Sequence, residues 1–206
     1  VSKEVVIQKR QRLDIWTPSK RSQVEQTGFK DALIAYYDRG DGKQNDDLKC
    51  MVTNQFFPRK RVKASHIWKF ATHGKDLPEF GLKEDDVGSA RNGLLLAESL
   101  EEKFDNKDVC FIYNAIAKQI QLFVLNPVLL DISKPVLVSP SDSITFAQID
   151  GAPLQCGDAK PFRRLLAWHA KLAIDTALSR RWINKADKDG YETLLALSED
   201  AHFPTF

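Results

Sequence analysis

The sequence predicts an α+β fold in three consecutive parts: a helical N-terminal lobe over residues 1–47, a core of short strands and one acidic helix over 48–125, and an α/β extension over 126–206. Three observations carry this. Phe29, Ala32, Leu33, Tyr36 and Tyr37 recur at i, i+3, i+4, i+7 and i+8, the spacing of one helical face. Leu48 to Thr53 and Arg61 to Ile67 are rich in β-branched and alternating residues, which fits strands. Glu98 to Phe104 then reads as a short charged helix, followed by strand-like runs at Val109 to Tyr113 and Gln119 to Leu125. With 206 residues and 43% hydrophobic content, the chain can bury one good core with an appended lobe and is too short for more than two domains.

Residues 1–16 look helical but polar, and TPSKR breaks that pattern at Pro18. The helix carrying Phe29 stops at Arg39-Gly40, where the polar GDGKQNDD loop marks an internal boundary. Pro58 lies in the connection between the first two strands. Lys69 to Arg91 is a long connection with Gly74, Pro78, Gly81 and Gly88; such lengths are functional, disordered or interrupted by short helices, and this one is a candidate to hold DNA. Beyond Pro127, Pro135 and Pro140, Ile144 to Ile149 reads as a strand and Asp150-Gly151 as its turn. A long helix follows, with Pro161 in its first turn and Phe162, Leu165, Leu166, His169, Ala173, Thr176 and Ala177 on one face. DKDGYETLLALSED adds a last helical run; its DKDG lacks the further oxygen ligands and closing glutamate of a calcium loop.

Composition removes several classes. No apolar run approaches the length of about 18 residues that spans a bilayer, and VSKEVVIQKRQR is too charged for a signal peptide. The start at Val1, without Met, reads as a piece of a longer protein. Cys50, Cys110 and Cys156 are odd in number and lack C-x-x-C spacing, so buried thiols in a reducing compartment are expected. There is no G-x-S-x-G, no phosphate-cradling glycine loop with Lys-Ser/Thr and no G-x-G-x-x-G. Net charge is only +2, but its distribution is uneven: Lys9, Arg10 and Arg12 cluster early, Arg59, Lys60, Arg61 and Lys63 precede His66, and Arg163, Arg164, Arg180 and Arg181 come late. A basic ribbon of that kind suits phosphates or is an ordinary solvated strand. PRKRVK also has the composition of a nuclear-import sequence.

One constellation carries chemistry. Asn92, Glu101 and Asp105 obey N-x8-E-x3-D, and on a helix Glu101 and Asp105 share a face where two carboxylates can hold one hard cation. His66, at the end of a strand, could take a proton from water beside a metal-bound phosphate. The alternative for Glu101, Glu102 and Lys103 is a solvated helix face.

These residues resemble the HNH family, the ββα-metal nucleases, over Cys50 to about Tyr113. CMVT, SHI and NGLLLAESLEEKFD are most similar to the variant found in fungal proteins and in the toxin ends of secreted Crinkler-type effectors of fungi and oomycetes. The resemblance implies a ββα-metal core and a metal-dependent endonuclease. His66 and Asn92 would be catalytic, with Asn92 holding the His66 segment; Glu101 and Asp105 would bind the metal; Arg59, Arg61, Lys63 and Arg91 would contact DNA phosphates with little sequence specificity. Glu101 replaces the usual helix histidine and favours Mg²⁺ or Mn²⁺ over Zn²⁺. Ser65 stands where many members have Asp or His as a ligand, which leaves open a degenerate scaffold that binds DNA or a host protein. His169 is either a core histidine or a replacement ligand from the extension. His73 could reach the site from the long loop, and His202 has no constellation around it. Of Trp16, Trp68, Trp168 and Trp182, Trp68 is the candidate to stack on bases, although core packing is the commoner role. The expected place of action is inside a cell, in the nucleus, with secretion and translocation if the chain is an effector.

Overall fold

The computed structural model describes residues 23–42, 46–131, 135–138 and 143–198. The polar N-terminal run, the Lys9, Arg10 and Arg12 cluster, Trp16, Pro140 and His202 lie outside these residues.

Helix α1, Gln23–Tyr37, buries Phe29, Leu33 and Tyr37 at four-residue intervals, while Ala32 and Tyr36 on the sequence-predicted face are exposed. The described strands form four two-stranded antiparallel sheets. β1 (Asp47–Lys49) pairs with β2 (Phe56–Pro58), and β3 (Val62–His66) pairs with β4 (Gly93–Ala97) in a register that sets His66 opposite Gly93. Helix α2, Glu98–Asp105, leaves β4 directly. β5 (Val109–Asn114) and β6 (Gln119–Val124) make a hairpin, and β7 (Pro135–Val138) pairs with β8 (Ser143–Thr145). The short helix α3 (Phe146–Ile149) and the longer α4 (Arg163–Ser179) and α5 (Lys185–Leu197) complete the fold.

Three expectations need correction. The strand expected over Leu48 to Thr53 ends at Lys49, and its partner is β2, not the His66 strand. Residues 51–53 turn instead, so that Met51 N–H donates to Leu95 O while Met51 Sδ and Cys50 Sγ accept from Leu95 and Ala97 N–H. The true partner of the His66 strand is GLLLA, buried at every position, and a short unbroken apolar run does not declare itself as strand by periodicity. Residues 146–149 are helical because Thr145 and Gln148 form a reciprocal capping box that starts a helix where a strand was expected. Pro161 also precedes α4, whose N-cap is Phe162.

One apolar cluster joins α1 (Phe29, Leu33), β4 (Leu94, Leu95, Leu96), α2 (Leu100, Phe104), β6 (Leu122) and α4 (Leu165, Trp168). Each fully buried leucine contributes about 1.5–3 kcal/mol of burial free energy, so Ile67 and Leu100, next to His66 and Glu101, are held by the whole cluster. The connection from Lys69 to Arg91 is interrupted by short 3₁₀ turns, one of the three alternatives its length allowed. It is closed by Gly74, whose φ of +75° and 2.0 Å approach of a would-be Cβ to Glu84 O leave no room for a side chain. Among the described residues, no helix is long and apolar enough to cross a membrane. The three cysteines are free and buried.

Candidate active site

His66 closes β3, half-buried, with its ring stacked on Phe29 at a centroid distance of 3.8 Å and 13° between planes. Phe70 lies 6.0 Å away on a tilted plane. Phe29 reaches the imidazole because Gly93, across the ladder, has no side chain: a Cβ there would lie 2.6 Å from Phe29 Cζ and 2.9 Å from Leu33 Cδ2. Gly93→Ala is therefore expected to push Phe29 off the imidazole and to cost about 1–3 kcal/mol by overpacking. Urea denaturation measures the loss, and an unchanged midpoint would show that α1 gives way freely.

Asn92 is fully buried and makes three hydrogen bonds: its Nδ2 donates to Trp68 O and Val87 O at 2.9 Å each, and its Oδ1 accepts from Trp68 N–H at 2.8 Å. Ile67 N–H adds a bond to Asn92 O at 3.0 Å. The backbone directly after His66 is thus pinned to the turn before β4.

Glu101 and Asp105 lie one turn apart on α2. Asp105 Oδ2 is held by Lys69 Nζ at 2.6 Å, and Glu98 is held by Lys63 at 2.7 Å. Burial, with the Asp105 carboxylate next, pushes Glu101 up to about 7, against the pull of Lys69 and Lys63. Among the described residues, no three His, Cys, Asp or Glu side chains gather closely enough to cage a metal ion. Two hard oxygen donors on one face still fit Mg²⁺ or Mn²⁺, since Mg²⁺ keeps several waters and is commonly held by one or two carboxylates together with substrate phosphates.

A small cavity of about 20 Å³, enough for roughly one water, brings together His66, Lys69, Asp105, Lys107 and His169. Glu101 is not among its lining residues. His169 reaches it from α4, stacked on Phe104 at 3.9 Å, with Nε2 3.0 Å from Phe104 O. Burial pushes this imidazole down to about 3, so it is neutral and Nε2–H is the natural donor to that carbonyl. Its Nδ1 is buried with no hydrogen-bond partner. His169 is thus a core histidine that also borders the site, and no local motif in the sequence separates those two roles.

Other candidates lie elsewhere. Ser65, next to His66 on the strand, points to the opposite face, where its Oγ is buried without a hydrogen bond. His73 is exposed and does not line the cavity. Trp68 cannot stack on bases: it is 1% exposed, with its ring edge-to-face on Phe80 and its Nε1–H bonded to Thr72 Oγ1 at 3.0 Å.

The basic ribbon is partly neutralised. Arg59 binds Asp31 and, at 3.0 Å, Asp46, and Lys63 binds Glu98. Lys30 donates to Arg59 O and Val62 O, and burial, then Arg59 and Lys63, lower its ammonium to about 8. Arg91 lies apart from the ribbon, with Nε 3.3 Å from Lys160 O and its guanidinium 4.4 Å over the Phe162 ring.

Residues 50–112 match the family model described as HNH endonuclease. No curated protein matches the chain.

Proposed function

From a chain whose residues 50–112 match the HNH endonuclease family, we propose a divalent-metal-dependent endonuclease that hydrolyses DNA phosphodiesters with little sequence specificity. The observation that carries the reading is that His66 and Asp105, from different elements of that segment, line one cavity while Asn92 fixes the backbone after His66. In this reading β3, β4 and α2 are the ββα unit of the nuclease core.

Glu101 and Asp105 would hold Mg²⁺ or Mn²⁺, which when bound supplies Lewis acidity to the scissile phosphate. His66 takes the proton from the attacking water. Phe29 and the Asn92 hydrogen bonds keep the imidazole and its strand end in place, and Lys69 holds Asp105 until substrate and metal arrive. Arg59, Arg61, Lys63 and Arg91 contact backbone phosphates, which orient the duplex without reading sequence. An effector's toxin activity, acting in a nucleus reached through PRKRVK, is the matching biological setting.

The test is incubation of supercoiled plasmid with Mg²⁺, with Mn²⁺ and with EDTA. Nicked and linear products with either metal, and none with EDTA, are expected. Plasmid retarded on a gel yet intact under every condition would favour the rival reading, a degenerate scaffold that binds DNA or a partner protein. That rival draws on Lys69 occupying Asp105 and on the two-carboxylate donor set.

Glutamine at Arg59, Arg61 and Lys63 together should weaken binding by a similar factor on unrelated duplexes and lower the salt slope by up to about 0.9 for each phosphate left without its cation. The exposed Lys63–Glu98 pair is no obstacle, because surface ion pairs are screened by solvent and exchange readily for a phosphate. Titrations at several salt concentrations check this, and an unchanged slope would remove the ribbon from the DNA-binding surface.

A further inference from the structure

The long helix α4 brings to the site one buried polar atom that the protein leaves unsatisfied: among the described residues, His169 Nδ1 has no hydrogen-bond partner. The other ring nitrogen fixes its chemistry. Nε2 lies 3.0 Å from Phe104 O, and a carbonyl oxygen only accepts, so Nε2 carries the proton. Burial, then Lys107 and Lys69, keep the ring neutral, which leaves Nδ1 as a bare acceptor. A buried polar group is costly without a partner and, where the protein supplies none, is satisfied by ordered water.

The cavity beside this ring suits one water. Its volume is about 20 Å³, above the roughly 10–15 Å³ that a single water needs. Phe104 takes the Nε2 edge of the imidazole and, at 3.9 Å, one of its faces, so the edge with Nδ1 and the other face are what the ring can offer the cavity it lines. Asp105 and Lys69 share that lining. Lys69 Nζ holds Asp105 Oδ2 at 2.6 Å and leaves Oδ1 able to accept. The cavity therefore offers a water two acceptors, His169 Nδ1 and Asp105 Oδ1, and a donor, Lys69 Nζ. About three hydrogen bonds is the usual complement of a buried water.

We propose that His169 is a positioning residue for Asp105, acting through one buried water that donates one proton to His169 Nδ1 and the other to the Asp105 carboxylate. The inference rests on the nuclease reading, in which Asp105 is a metal donor. α4 lies wholly outside residues 50–112, so the C-terminal extension completes a site whose other parts belong to the HNH segment. Carboxylates that bind metals are themselves hydrogen-bonded, and those outer partners set their orientation. A carboxylate already oriented by α4 loses less freedom when the cation arrives.

The test uses the full chain and measures Mn²⁺ affinity by calorimetry at pH 8 for the native protein, His169→Phe and His169→Asn. Phenylalanine keeps a ring on Phe104 and removes Nδ1, whereas asparagine returns an amide acceptor close to the place of Nδ1. The phenylalanine variant should lose about 10- to 100-fold in Mn²⁺ affinity, the usual cost of an outer partner, with metal-free duplex affinity unchanged, and asparagine should recover part of the loss. Unchanged Mn²⁺ affinity in a folded His169→Phe variant would overturn the proposal, and so would an equal loss in both variants, which would assign the effect to packing. A second measurement needs no variant: in the ring-nitrogen NMR spectrum of the metal-free native chain, His169 Nδ1 should resonate as an imidazole nitrogen that accepts a hydrogen bond. A resonance typical of an unbonded nitrogen would overturn the water bridge, and a resolved cadmium–nitrogen coupling at Nδ1 after addition of Cd²⁺ would make His169 a direct ligand and overturn it as well. Plasmid cleavage by the native chain with no change of Mn²⁺ affinity in His169→Phe would remove the proposal and leave the nuclease reading standing. A Mn²⁺ affinity that depends on His169 in a chain that never cleaves plasmid would do the reverse, and a native chain that binds no Mn²⁺ would overturn both.

Discussion

Replacing His66 by alanine is expected to cut phosphodiester cleavage by about 10²- to 10⁴-fold, the usual contribution of a positioned general base, while duplex affinity and the fold stay close to those of the native chain. The fold should survive because the β3–β4 ladder is made by backbone groups, and the adjoining backbone is held by Asn92, not by the imidazole. The closest ring contact to disappear is the stack on Phe29, an aromatic interaction worth about 0.5–1.5 kcal/mol. Affinity should persist because the arginines and lysines assigned to the phosphates are untouched. Single-turnover cleavage of a labelled duplex separates the chemical step from binding. Native-like turnover by a purified, folded His66→Ala variant would move the base elsewhere, and His169 is too strongly held neutral to be an obvious successor.

The features legible in the sequence were those whose physics is local. The period of Phe29, Leu33 and Tyr37 located α1, and the apolar run VCFIY followed by the alternating run QIQLFV located the β5–β6 hairpin. The four-residue spacing of Glu101 and Asp105 put both on one face of a short helix. Strand pairing was less legible, because GLLLA is equally apolar on both faces and gives no alternation to read. The interactions that shape the site were not legible at all. Phe29 on His66, Lys69 on Asp105 and His169 beside the same cavity join residues from four elements, and no spacing rule links them. The ion pairs along the ribbon were hidden for the same reason: Asp31, Asp46 and Glu98 reach Arg59 and Lys63 from elsewhere in the fold.

Glu101→Gln is the second change with a large expected effect, and its signature is a pH dependence. In the metal-free protein, burial and the Asp105 carboxylate hold Glu101 at about 7 instead of its ordinary 4.5. The fold therefore favours the protonated form. Its contribution to stability is complete below about 4.5, declines as pH rises towards 7, and is flat above that. A divalent cation needs the opposite form, so Mg²⁺ or Mn²⁺ affinity of the native chain should climb between about pH 6 and 8 as Glu101 gives up its proton. Glutamine is a permanent mimic of the protonated acid. It should lower metal affinity at least about tenfold at pH 8 through removal of an anionic ligand, flatten the pH dependence, and abolish the difference in urea midpoint between pH 4.5 and 7 that Glu101 contributes. Duplex binding without metal should be unchanged, because neutralising a carboxylate leaves every cation facing the phosphates in place. Calorimetric titration with Mn²⁺ at pH values below, at and above 7 reads the first two effects directly. Equal affinity of the two proteins at the highest pH would place the cation away from Glu101, and Asp105 with His169, on the same cavity wall, would then be the donors to test.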